Sequence, residues 1–351
     1  MRRAVALAWR GWGRVGANPL VGAVALKGGR VLAEAYHAEF GGPHAEAAVI
    51  ATLGSRARGA ELVVTLEPCA HHGKTPPCSD AIVRAGFARV TFGALDPNPL
   101  AGGGAAALEA ARIAVAGGLL EPEIVDQNAA FFHRHRCPER PYVAVKLAVS
   151  LDARIADAGG RSRWVSGEEA RDYAQWLRAG FEAVAVGAGT ARADDPALTV
   201  RGTVQPPAPP LRLVFDDRAE LPETLQMFRT AREAPTMLVS RVGGTGAPLE
   251  RFAALGVATL SAADEAAALT ELRARGVASV LVEGGGTLVA RLLAAGLVDR
   301  LYLIQAPLLL GAGGVAAFPG AADAPIDTAR RWRVVGRKAL GADTVLVLDR
   351  R

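Results

Sequence analysis

Glu61-Leu62-Val63-Val64-Thr65-Leu66-Glu67-Pro68-Cys69, followed further on by Pro76-Pro77-Cys78, is the stretch on which the reading of this chain turns. Residues 61–66 read as a strand, and Cys69 lies in the loop beyond its end. Cys78 follows two prolines and opens a helix over 79–85, where free amides and the helix dipole favour a thiolate. Upstream, His44-Ala45-Glu46 comes just after Gly41-Gly42-Pro43, at the start of an Ala-rich helix over 45–53. Helix starts and strand ends converge at one edge of an α/β sheet. His44, Cys69 and Cys78 can therefore make a three-ligand zinc site with its fourth position left for water, as catalytic zinc requires. A fourth ligand from His71 or His72 would close it into a structural site, and two buried free thiols are the plain alternative.

Strand-like and helical runs alternate on both sides of this motif. Residues 21–26 and 88–93 read as further strands, 105–115 as a helix and 121–135 as a closing helix. The alternation predicts an α/β layer structure with a partly parallel sheet. Cys137-Pro138-Glu139-Arg140-Pro141 breaks the pattern, which places a domain boundary between 1–139 and 140–351. Beyond it, 142–149, 183–187, 211–215, 236–240, 279–283 and 300–305 read as strands and 168–178 as a helix, with a Pro-rich loop at 205–210.

The charge balance excludes some function classes. Residues 1–139 hold 14 Lys and Arg against 12 Asp and Glu, and the remainder hold 26 against 23. A net charge of +5 spread this thinly gives no basic stripe, and aromatics make up only 5% of the chain, so a nucleic-acid partner is not expected. No apolar run approaches the roughly 18 residues of a membrane span, and charge interrupts the N-terminal residues, so neither membrane nor export is expected. Three cysteines in a reducing, cytoplasmic setting argue against disulfides. A homo-oligomer is compatible with everything here.

A glutamate two residues after a zinc histidine, itself no ligand, is the signature of zinc-dependent nucleobase deaminases, which assigns Glu46 the proton transfer. The eight residues between the two cysteines are longer than the usual two. The segment from Thr65 to Cys78, including Ala70-His71-His72-Gly73-Lys74-Thr75, resembles the deaminase motif of the bifunctional riboflavin-biosynthesis deaminase/reductase family. Asn18-Pro19-Leu20-Val21-Gly22, Pro43-His44-Ala45-Glu46 and Asp96-Pro97-Asn98-Pro99 are similar to that family in the same order. The resemblance implies a cytidine-deaminase-like three-layer domain. It also implies hydrolysis of the 2-amino group of a diaminopyrimidinone ribosyl phosphate, with Asn18, His37 and Lys74 holding the substrate.

Val282-Glu283-Gly284-Gly285-Gly286-Thr287-Leu288 has a strand ending in an acid, three glycines and then an apolar helix. Such a turn lets amides approach a phosphate at a helix N-terminus, although it is not the G-x-G-x-x-G fingerprint. With Lys146-Leu147-Ala148-Val149-Ser150-Leu151-Asp152, Ser162-Arg163-Trp164, Asp194-Asp195-Pro196 and Ala306-Pro307-Leu308, it resembles the reductase half of the same family. That implies a dihydrofolate-reductase-like domain using NADPH to convert the ribosyl group to ribityl. By matching position, Ala148, Trp164, Thr190, Asp194, Gly285, Gly286, Thr287, Leu288, Val289, Ala290 and Arg291 would contact cofactor. Ser162, Arg178, Leu198, Arg201 and Glu283 would contact substrate. A phosphate suits the arginines, and Lys146, Asp194 and Glu283 are the candidates to protonate the imine. Two positions depart from the family pattern: Ala153 stands where Gly is common, and Asp216-Asp217 stands where Asp-Ser is expected.

Overall fold

The computed structural model describes residues 1–71, 76–241, 247–320 and 325–350, and the chain divides into two compact units, Met1–Pro138 and Glu139–Arg351. The first unit runs α1 (Arg2–Ala8), β1 (Gly22–Lys27), β2 (Arg30–Tyr36), α2 (Ala45–Leu53), β3 (Glu61–Leu66), α3 (Cys78–Ala85), β4 (Arg89–Ala94), α4 (Gly104–Ala110), β5 (Ala114–Ala116), α5 (Glu121–Gln127) and α6 (Ala129–Arg136). Its sheet has the order β2-β1-β3-β4-β5. β1 pairs antiparallel with β2 and β3, and β3, β4 and β5 run parallel. Leu62 and Val64 of β3 meet Val49 of α2 and Ile82 of α3 in one buried cluster. That packing brings the starts of α2 and α3 to the carboxyl end of β3.

Two expected elements differ. The helix over 105–115 stops at Ala110, because Arg112 turns back with φ 63° and Ala114–Ala116 pairs with β4 as an edge strand. Ala-rich sequence favours helix throughout, but a free strand edge offers a better partner. The closing helix is two helices, broken at Asn128. Its side chain accepts from the Leu20 N–H (2.7 Å) and donates to the Leu20 carbonyl (3.2 Å), contacts that compete with continued helix.

The second unit comprises β6 (Tyr142–Val149), β7 (Arg154–Ala156), α7 (Glu168–Ala179), β8 (Ala183–Gly187), α8 (Ala188–Asp194), β9 (Leu211–Phe215), α9 (Gln226–Arg229), β10 (Thr236–Ser240), α10 (Ala247–Ala254), β11 (Ala258–Ser261), α11 (Glu265–Ala274), β12 (Ser279–Glu283), α12 (Gly286–Ala294), β13 (Arg300–Gln305), β14 (Val315–Ala316), β15 (Trp332–Leu340) and β16 (Asp343–Arg350). Nine strands form one sheet in the order β11-β10-β9-β8-β12-β6-β13-β16-β15. The first seven run parallel and end at a common edge, and β16 and β15 add an antiparallel hairpin. Alternation along β8 sends Ala183 and Ala185 into one core layer and Val184 and Val186 into the other, as a strand covered on both faces requires. No helix of the described residues is long and apolar enough to cross a membrane.

Candidate active sites

In the first unit, the donor atoms of His44, Cys69 and Cys78 lie within 4.8 Å of one another, the one such group among the described residues. His44 Nδ1 is 3.3 Å from Cys78 Sγ and 3.7 Å from Cys69 Sγ. A tetrahedral zinc with ordinary Zn–S and Zn–N bonds separates such donors by about 3.5 Å, so one imidazole and two thiols at these distances fit zinc. Each ligand is fixed by an element end. His44 is the N-cap position of α2, and Cys78 opens α3 with its N–H donating to Cys69 Sγ at 3.4 Å. Cys69 is held by the α4 start. Glu67 accepts from the amides of Gly103 (3.1 Å) and Ala105 (3.0 Å), and a Cβ on Gly104 would fall 1.6 Å from the Pro68 carbonyl oxygen. Only glycine lets α4 approach the loop this closely.

Hydrogen bonds from Cys78 and His44 pull the Cys69 thiol down to about 4, and Cys78, which donates to that thiolate, is pushed up. Burial raises Glu46, in the first turn of α2, to about 7. That is the range in which a carboxyl both takes and gives a proton at neutral pH. His37 stands edge-on to His44 with ring centroids 5.8 Å apart, and burial lowers its pKa. Its Nδ1 is 3.1 Å from the Pro43 carbonyl, an acceptor, so Nδ1 carries the proton and Nε2 accepts from Asn18 Nδ2 at 3.2 Å. The structure thus gathers Asn18, His37, His44, Glu46, Cys69 and Cys78. Lys74 and His72 lie outside the described residues, and His71 is exposed and not a member of the donor group. Asp96 of the Asp-Pro-Asn-Pro segment also faces this centre, and burial raises it to about 6.

In the second unit, Lys146 on β6 sits in register with Glu283 at the end of β12. Arg178 of α7 reaches Glu283 with both Nε and NH2, the latter at 3.0 Å, and donates through NH1 to the Thr199 carbonyl at 3.0 Å. Burial alone would raise the Glu283 carboxyl, but the adjacent guanidinium holds it below its ordinary value, while burial lowers Lys146. Ser162 Oγ donates to Asp194 Oδ1 at 2.9 Å. The glycine turn fits a phosphate-bearing cofactor. Gly284 and Gly285 have φ of 80° and 83°, a Cβ on Gly285 would come 3.3 Å from Thr190 Oγ1, and one on Gly286 would lie 2.9 Å from Pro319. The N–H of Val289 is taken by the Gly285 carbonyl, so the amides of Gly286, Thr287 and Leu288 open the helix.

Some residues are placed otherwise than their implied roles suggest. The side chains of Leu288, Val289 and Leu198 are buried in the core, so any ligand contact falls to their backbone; Leu198 has φ 53°. Arg201 is exposed, its N–H donating to Gln175. Trp164 is 68% exposed, with the Arg171 guanidinium 4.7 Å from its ring centroid. Ala148 is half-buried on β6, and Ala290 is half-buried on α12. Ala153 adopts φ 56° in the turn after Ser150, a conformation glycine holds with less strain. Arg291 is engaged by Asp217, which lies in the Asp216-Asp217 pair that departs from the family pattern, and by Glu265, which the sequence did not single out.

Fold and sites together define a zinc-type deaminase and a nucleotide-dependent reductase carried in one chain. Residues 1–94 match the cytidine and deoxycytidylate deaminase zinc-binding region, and residues 141–346 match the RibD C-terminal domain. The chain is 39% identical to the riboflavin biosynthesis protein RibD of Actinobacillus pleuropneumoniae over 99% of its length and 93% of that protein. It is also 39% identical to RibD of Escherichia coli K12, covering 96% of each. Among solved structures it resembles Acinetobacter baumannii RibD, at TM-score 0.86 and 34% identity over 100% of this chain and 97% of that one. A Thermotoga maritima diaminohydroxyphosphoribosylaminopyrimidine deaminase/5-amino-6-(5-phosphoribosylamino)uracil reductase gives TM-score 0.87 at 34% identity, with the same coverage. The chain belongs to the RibD family of riboflavin-biosynthesis deaminase/reductases.

Proposed function

We propose that the unit Met1–Pro138 removes the 2-amino group of 2,5-diamino-6-(ribosylamino)pyrimidinone 5′-phosphate by hydrolysis, and that Glu139–Arg351 reduces the ribosyl group of the product to ribityl. The observation that carries this reading is the convergence of His44, Cys69 and Cys78 beside a buried carboxyl, Glu46, whose pKa is raised to about 7. When bound, zinc supplies the Lewis acidity that makes a hydroxide nucleophile available near neutral pH, and NADPH supplies the hydride. Glu46 takes a proton from the attacking water and delivers it to the leaving nitrogen; the water's second hydrogen passes to a ring nitrogen, so the ring carbon becomes a carbonyl and the amine departs as ammonia. Asn18 and His37, locked in one tautomer by the Pro43 carbonyl, orient the pyrimidine.

In the second unit Arg178 keeps Glu283 ionised. Lys146, its neighbour in register, and Asp194, aligned by Ser162, are the groups able to hand a proton to the opened imine. The three free cysteines suit a reducing, cytoplasmic setting. The test is incubation with the diaminopyrimidinone ribosyl phosphate and NADPH, following ammonia and NADPH absorbance together. Ammonia release followed by stoichiometric NADPH oxidation is expected, and oxidation with no ammonia would overturn the order of steps.

A further inference from the structure

Beyond the glycine turn, the same sheet edge carries a closed ring of four charges. Asp217 follows β9, Arg241 follows β10, Glu265 opens α11, and Arg291 stands on α12, the helix that begins at the glycine turn. Asp217 Oδ2 lies 2.6 Å from Arg291 NH1, and its Oδ1 lies 3.4 Å from Arg241 Nε. Glu265 closes the ring on the other side, 2.8 Å from Arg291 Nε and 3.2 Å from Arg241 NH2. Glu265 is buried, with 8% of its side chain exposed, whereas Asp217 is 39% exposed. The two acids are therefore not equivalent: Glu265 is the structural counter-charge of the arginines, and Asp217 is the one facing solvent.

The ring sits where the far end of a dinucleotide would lie. β9 is two strands from β12, a separation of about 10 Å. Arg291 is five residues along α12 from Gly286, about 7.5 Å. A diphosphate on the α12 amides puts its adenosine ribose within reach of Asp217 and both arginines. At that ribose a carboxylate favours a free 2′-hydroxyl, whereas an arginine favours a 2′-phosphate. This chain presents both, bonded to each other.

We propose that Asp217 is a cofactor-specificity residue: a resident anion on Arg241 and Arg291 that competes with the 2′-phosphate of NADPH and so admits NADH as well. The proposal rests on the reading of this unit as an NADPH-type reductase. A 2′-phosphate must displace Asp217 or bind beside it, whereas the 2′-hydroxyl of NADH donates a hydrogen bond to it.

Direct binding of NADPH and NADH, titrated by fluorescence without substrate, tests this. The native chain should bind the two with dissociation constants within about tenfold of each other. D217S should tighten NADPH by about tenfold or more, through freed charge-assisted bonds, and leave NADH equal or weaker. D217N keeps the shape without the charge and should shift the ratio the same way, so it carries the test if D217S does not fold. Equal changes for both cofactors, or none, would overturn the role of Asp217 while leaving the reductase reading intact. A native preference for NADPH above about a hundredfold would do the same. Failure of the native chain to bind either cofactor would overturn the reductase reading, and this proposal with it.

Discussion

The two sites balance charge in opposite ways. In the first unit two thiols and a buried carboxyl, Cys69, Cys78 and Glu46, crowd around the His44 imidazole, a donor pattern that calls for a cation. In the second unit the buried charges answer one another, Glu283 with Arg178 and Glu265 with Arg241 and Arg291. The first site is built to be completed by a metal, whereas the buried acids of the second already have arginine partners before any ligand arrives. The units should therefore respond to different insults.

The largest separation is expected from C78S. Zinc content should fall from one per chain to background, and deamination by about a thousandfold or more, since hydroxide generation depends on the metal. Reduction of the already deaminated substrate should stay within about twofold of native. Metal analysis and the two separate assays check this, and parallel loss of both activities would break the contrast. A chelator should likewise lower only the melting transition of the first unit, because metal binding there is coupled to folding.

R178M is the converse change. It strands Glu283 in a buried site and should cost about 3–5 kcal/mol in urea denaturation, with reduction lost and zinc content and ammonia release kept. The pH dependence follows from the sign of the shift. The folded Glu283 carboxyl lies below its ordinary value of 4.5, so the pair stabilises fully above that value. The contribution should fade as pH falls through the lowered folded value. In R178M that acid-side loss should shrink, which stability measured at several pH values would reveal.

Smaller effects sharpen the comparison. G104A forces a methyl against the Pro68 carbonyl and should destabilise the first unit by about 1–3 kcal/mol, with weaker zinc retention. A153G relieves the positive φ in the second unit and should stabilise it by up to about 1 kcal/mol with zinc content unchanged, as thermal melting would show.

The same contrast governs what could be read in the sequence. The zinc ligands were legible because each stands at an element end within 35 residues of the next, flagged by Pro43, Pro68 and Pro77. The strands Glu61–Leu66, Tyr142–Val149 and Ser279–Glu283 were legible as largely apolar, β-branched runs. β2 and the β15/β16 hairpin escaped because their alternation is diluted by charge and exposure, as in Arg337 and Lys338. The Glu283 motif showed a turn, but its ion pair with Arg178 spans 105 positions and becomes visible only in the fold. The ring around Arg291 is harder still. Arg241 and Glu265 carry no local motif, Asp217 shows in the sequence only as a departure from the family pattern, and only the repeated return of the chain to one sheet edge gathers them.

Glu46 separates the two chemistries most sharply. E46Q should retain one zinc per chain and release ammonia from the diamino substrate about 10²–10⁴-fold more slowly. Given the deaminated substrate, the same variant should oxidise NADPH at the native rate. Ammonia release at the native rate, or loss of NADPH oxidation alongside it, would contradict the assignment of hydrolysis and reduction to separate sites.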